Sequence, residues 1–300
     1  MKLSKIRGYI DLIRPFTLLA PIIVSICIMI ASFVYAKCND NFLTVFITKI
    51  IPASFSLAIL NGASNALNQV TDFAADKISK PYRPIPLGLI STNEALSVSM
   101  LMYLLAFSLS LFVNLWFILF VFLISVFTVT YSLPPRIKDA LFINQLWLGV
   151  PRGLLGILAS WSVFGKVLDT LPITIGIIAM VFLIGGSITK DITDSHADKK
   201  TGTKTLVNIY GVKKAAIMSL PFMFFPFAFI PMLIHAGILE AQFGLLTLLT
   251  IPSFFVFYLM IRDKSKRKRL ENTSSWALMY ITYFFFAIGF SILTITGPFF

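Results

Sequence analysis

The chain alternates between apolar runs of about twenty residues and shorter polar stretches. A run of that length is what an α-helix needs to cross a hydrocarbon core of roughly 30 Å. Runs near 15–36, 46–71, 94–113, 115–132, 144–164, 170–189, 212–235, 242–261 and 276–297 predict nine crossings. They are helices because backbone in lipid must satisfy its own hydrogen bonds. The three long polar stretches, 72–93, 190–211 and 262–275, all follow even-numbered helices and so emerge on one side. The connections on the other side are short, and the one around Asn114 is minimal. The pattern therefore predicts an all-α membrane protein of about nine transmembrane helices, one transmembrane domain over 1–300.

Composition agrees. Hydrophobic residues make up 57% of the chain and charged residues 13%, where a soluble domain carries roughly a quarter. The net charge of +12 matters through its placement. On the predicted topology 21 of the 25 Lys and Arg fall on the side of the long polar stretches. The positive-inside rule then predicts a cell-membrane protein with its N-terminus and these loops in the cytoplasm and its C-terminus outside. The basic run Arg262–Arg269 reads as an orientation signal against anionic headgroups, not as a nucleic-acid site. The first apolar run is too long for a cleaved signal peptide. Cys27 and Cys38 make no disulfide framework.

One heptapeptide pattern occurs twice. Thr71–Lys77 reads TDFAADK and Thr193–Lys199 reads TDSHADK, 122 residues apart. Each copy follows the end of an even-numbered helix, with four crossings between them, which predicts a parallel internal repeat with motifs at 68–76 and 191–198. Asn68, Asp72 and Asp76 are spaced i, i+4, i+8 and cover only about 80° of a helix. Asp191, Asp194 and Asp198 are spaced i, i+3, i+7 and also share a stripe. Five of the 13 acidic residues sit in these clusters.

Stacked carboxylates at a membrane boundary need compensation. Mg²⁺ provides it, taking oxygen ligands and completing its shell with waters and substrate phosphates. His and Cys are too few and too scattered for zinc. The rim is also cationic, with Lys77, Lys80, Arg83, Lys138, Lys190 and Lys199. Carboxylates, Mg²⁺ and many cations together suit a polyanion such as a diphosphate better than a cation-conducting path. A transporter or lipid-binding protein is the alternative outside enzymology.

Several motifs occur in order. Ile13–Arg14–Pro15 precedes the first crossing. Asn68–Asp76 (NQVTDFAAD) fits N-x-x-x-D-x-x-x-D and runs into Lys80–Pro86 (KPYRPIP). Tyr131–Lys138 (YSLPPRIK) follows the fourth crossing. Lys190–Asp198 (KDITDSHAD) leads to Gly202 and Thr203–Leu206. Together, over nearly the whole chain, they resemble the UbiA superfamily of intramembrane prenyltransferases. The resemblance implies nine helices around a central cavity open to lipid. It implies a polyprenyl diphosphate bound through Mg²⁺, with the prenyl group moved to an acceptor and pyrophosphate released.

Roles follow from the resemblance. Asn68, Asp72 and Asp76 are expected to hold one Mg²⁺ and Asp191, Asp194 and Asp198 another. Arg83 and Lys138 are the expected diphosphate contacts, with Lys77 and Lys190 as weaker ones. Tyr131 and Ser132 are placed near the diphosphate and reacting carbon. Arg14 is expected to meet an anionic headgroup or the diphosphate. Arg152, an isolated charge in an apolar run, and Asn144 are assigned to the acceptor. Gly149, Gly153 and Gly156 suggest close helix packing. On the acceptor two signals disagree. The second acidic motif is similar to that of digeranylgeranylglyceryl phosphate synthases. The segments YSLPPRIK and VPRGLLGILASW look more like members acting on aromatic, quinone-type rings, and the expectation leans to the aromatic side.

Overall fold

A computed structural model describes residues 2–262 and 273–297. The basic run Arg262–Arg269 lies outside the described residues apart from Arg262. Every regular element among the described residues is a helix. Helix α1 (Lys2–Ile13) is amphipathic. It is followed by α2 (Pro15–Tyr35), α3 (Phe42–Thr71, with a π-helical turn at Phe46–Ile50), the short α4 (Phe73–Ser79), α5 (Thr92–Ser110) and α6 (Leu115–Ser132). Then come α7 (143–161), α8 (Thr170–Gly186), the acidic α9 (Asp191–Thr201), α10 (Leu206–His235), α11 (Ala241–Arg262, its first half a 3-10 helix) and α12 (Ser274–Thr296).

Eight helical spans among the described residues are long and apolar enough to cross a membrane. The ninth expected crossing is α7, whose polar Asn144, Gln145 and Arg152 dilute its apolar character. The crossings pack in sequence, α2 on α3, α3 on α5 and so on to α12, and α12 returns to α2. The result is a closed ring. Helix α2 feeds two cores. Its Ile28 joins Trp161, Phe182, Phe227 and Phe286 on one side. Its Met29 joins Ile50, Leu60, Phe117 and Val121 on the other.

Lipid tails are as apolar as the side chains, so close packing and short polar bridges hold such helices together. Ser25 donates to Ser54 (2.9 Å), Ser56 to the Ala106 carbonyl (2.8 Å) and Ser99 to the Ala63 carbonyl (2.8 Å). Gly149 and Gly153 let α7 lie directly on α8. A Cβ at Gly153 would sit 2.4 Å from the Met180 backbone. Gly156 has no such neighbour helix and instead faces the interior cavity.

Helix α1 is the element that a search for apolar runs misses, because its apolar positions alternate with Lys5, Arg7 and Asp11. Its last carbonyls are capped by side chains of α3. Gln69 donates to Leu12 O (2.6 Å) and Asn65 to Ile13 O (3.2 Å), meeting the need of carbonyls at a helix end. Arg14 then takes a left-handed conformation, φ 55°, and Pro15 starts α2.

Candidate active site

Helices α4 and α9 pack against each other at one end of the ring. Asp72 interrupts the helix between α3 and α4 by a single residue, yet Asp72 N–H donates to Asn68 O (2.9 Å) and Asp76 N–H to Asp72 O (2.8 Å). The i, i+4 column therefore survives the break. The second column lies on α9, entered through a 3-10 turn at Ser187–Lys190.

The two columns line one polar mouth, together with Arg14, Arg83, Tyr131, Lys138, Asn144, Arg152 and Lys190. The mouth opens into an apolar chamber lined by Val24, Leu57, Leu60, Ile124, Trp147 and Leu183. Arg14, Asn68, Tyr131, Arg152 and Lys190 border both spaces. The expected residues thus come together with two exceptions. Lys77 is exposed, and its ammonium lies over the Phe73 ring 4.2 Å from the centroid. Ser132 is buried behind the mouth, 3.4 Å from Asn68 Oδ1, where it supports Asn68.

Cations are distributed over the carboxylates. Lys138 contacts Asp72, which Arg136 also approaches at 3.3 Å. Arg83 pairs with Asp76 at 2.7 Å with both side chains buried. Lys80 reaches from the end of α4 to Asp194 at 2.5 Å and so ties the two acidic helices together. Lys190 donates to the Tyr131 hydroxyl (2.6 Å) and lies 3.5 Å from Asp191. Asp198 pairs with no cation among the described residues. Burial raises the Asp76 carboxyl above its ordinary value in spite of Arg83 and Lys80 beside it.

Lys80, Arg136 and Asn65 are site residues to which the resemblance assigns no individual role. Lys80 carried a signal: it continues the column Asn68, Asp72, Asp76 by one more i+4 step, whereas Lys77 is turned about 100° away. Arg136 carried none, because its left-handed backbone (φ 54°) follows Pro134–Pro135 and its partners Asp72 and Asp139 differ widely in sequence position. The pair of lysines gives a direct prediction. Lys77→Ala should change stability by about 0.5 kcal/mol or less, as surface changes do. Lys80→Ala should cost about 3 kcal/mol by leaving Asp194 without its partner. Thermal unfolding in detergent measures both.

The donor set fits Mg²⁺. Asp191 Oδ2 and Asn144 Oδ1 are buried oxygens without a hydrogen-bond partner. No three acidic, His or Cys side chains among the described residues form a ready-made metal cage. Mg²⁺ is commonly held by one or two carboxylates, with water and phosphate in the remaining positions.

An intramembrane ring with a charged mouth over an apolar chamber is the architecture of an enzyme for substrates with an anionic head and an apolar tail. Residues 18–288 match the UbiA prenyltransferase family, and the chain belongs to it; it is an integral membrane prenyltransferase. It is 27% identical to a digeranylgeranylglyceryl phosphate synthase of Methanosphaera stadtmanae, over 94% of this chain and 98% of that protein. Its fold is similar to that of a UbiA homologue from Archaeoglobus fulgidus bound to GPP and Mg²⁺. That match has a TM-score of 0.66 at 18% identity, covering 96% of this chain and 99% of the other. It is also similar to a UbiA homologue from Aeropyrum pernix K1, with a TM-score of 0.69 at 18% identity over 89% and 96% of the two chains.

Proposed function

We propose that the protein transfers a polyprenyl group from a polyprenyl diphosphate to a hydroxyl of a glycerol phosphate ether lipid, as a digeranylgeranylglyceryl phosphate synthase does. The observation that carries the transfer is the pairing of acidic helices α4 and α9 at the mouth of an apolar chamber. The nearly full-length match to the Methanosphaera synthase favours the glycerol phosphate acceptor. The expected aromatic acceptor gives way for that reason. Its basis was the two short segments around Tyr131 and Arg152, which lie at the chamber and are compatible with either acceptor.

In this reading the prenyl tail lies in the chamber and the diphosphate at the mouth. Asn68, Asp72 and Asp76 on one side and Asp191, Asp194 and Asp198 on the other would hold Mg²⁺. When bound, Mg²⁺ neutralises the diphosphate and makes it a better leaving group. Lys138, Arg83, Lys80 and Lys190 add positive charge where the leaving group's charge develops. Tyr131 stands at the boundary of mouth and chamber, beside the reacting carbon. The apolar walls keep water from the allylic cation. The acceptor hydroxyl forms the ether bond as the bond from carbon to diphosphate breaks, and its proton passes to the released pyrophosphate. The cationic rim supports a cytoplasmic position for the mouth.

The test is to incubate the purified protein with geranylgeranyl diphosphate, Mg²⁺ and separate acceptors, and to follow pyrophosphate release. Release with a glycerol phosphate that carries one prenyl ether, and not with a hydroxybenzoate, is expected. Release with the aromatic acceptor alone would overturn the choice of acceptor. A chelator should abolish release with either.

A further inference from the structure

Helix α7 carries a wide π-helical turn, Val150–Leu155, in the middle of its crossing. Such turns are uncommon and concentrate at functional sites. Here its causes are visible. Pro151 has no N–H to give to the carbonyl four residues earlier. Gly149 and Gly153 press the turn against the α8 backbone. Tyr283 of α12, itself buried, donates its hydroxyl to the Arg152 carbonyl at 2.9 Å. The turn is thus held by both α8 and α12, and it carries Arg152.

The Arg152 side chain borders both the mouth and the chamber. Its one polar contact among the described residues is Nη1 to the Tyr280 hydroxyl, at 3.4 Å, and it pairs with no carboxylate. This sets it apart from Lys80, Arg83, Arg136 and Lys138, each of which faces an aspartate. The Arg152 side chain is exposed, so its remaining N–H donors are open to a ligand, and a phosphate matches a guanidinium with two parallel hydrogen bonds.

We propose that Tyr283 is a positioning residue that locks this turn, so that Arg152 receives the phosphate of the acceptor. The inference rests on the phosphate-bearing acceptor proposed above. The cations that already face the acidic columns serve the diphosphate, and Arg152 serves the second substrate.

Steady-state kinetics on the full-length protein in detergent, with Mg²⁺, a prenyl diphosphate and the prenyl glycerol phosphate acceptor, test this. Arg152→Gln should raise the acceptor KM about 10- to 100-fold, as loss of a charge-assisted contact does. Tyr283→Phe should raise it about 3- to 10-fold, for loss of one neutral hydrogen bond. Both should leave the KM for the prenyl diphosphate unchanged. The double variant should be no worse than Arg152→Gln alone, because the two act through one contact. Pro151→Ala, which restores the missing N–H, should raise the acceptor KM in the same selective way and stands in if Tyr283→Phe folds poorly. Multiplying effects in the double variant, or an equal rise in the KM for the prenyl diphosphate, would overturn the positioning role. An acceptor KM that Arg152→Gln leaves unchanged would instead overturn the phosphate contact at Arg152, and the positioning role with it.

Discussion

Asp198→Asn should lower turnover on the order of 10²- to 10³-fold, the usual scale for one preorganised charged group at a reacting centre, while leaving the folded protein at least as stable. Asp198 lies one turn beyond Asp194 and two beyond Asp191 on α9, and like charges at that spacing repel. No cation within the described residues pairs with it, whereas Asp72, Asp76 and Asp194 are each paired with at least one. Removing its charge therefore relieves repulsion and breaks no ion pair. A carboxylate that adds repulsion to the resting column is explained by the bound state, where on the proposed reading a divalent metal supplies the missing positive charge. Pyrophosphate release and thermal unfolding of the same preparation separate the two effects. Unchanged turnover, or a loss that merely follows a fall in Tm, would remove Asp198 from the metal site.

Much of this was legible in the sequence because lipid simplifies the code. The run 115–132 coincides with the helix Leu115–Ser132, and 15–36 with Pro15–Tyr35 to within a residue. A twenty-residue apolar run has few alternatives to a helix when no water is at hand. Where water returns, the reading weakened. The predicted helix at 170–189 continues helically through the acidic segment to Thr201, and the amphipathic α1 was not anticipated. The acidic residues of the site were legible because helical spacing puts them on one face. Their cationic partners were less so. Arg136 meets Asp72 through the conformation of a loop, and Lys138 reaches Asp72 across most of three helices of intervening sequence. The wide turn under Arg152 was readable only as a proline beside two glycines, a pattern that by itself suggests close packing and says nothing of a carbonyl offered to Tyr283.

Asp76→Ala should fail in a different way from Asp198→Asn. Asp76 and Arg83 are both almost fully buried and lie 2.7 Å apart. Taking one partner from such a pair costs about 3–5 kcal/mol, because the other charge keeps its desolvation penalty and loses this counter-charge. Asp76→Ala should accordingly lower Tm steeply and abolish turnover together, which makes the single variant ambiguous. The double variant Asp76→Ala with Arg83→Met resolves it. Replacing a buried pair with apolar groups of similar size is often close to neutral, so most of the lost stability should return. Turnover should not return, since on the proposed roles the double variant lacks both a metal carboxylate and a guanidinium beside the diphosphate. Recovery of stability without activity assigns Asp76 to the chemistry as well as to the fold. Recovery of both would mean that Asp76 serves to neutralise Arg83, and that Asn68 and Asp72 hold the metal on their side without it.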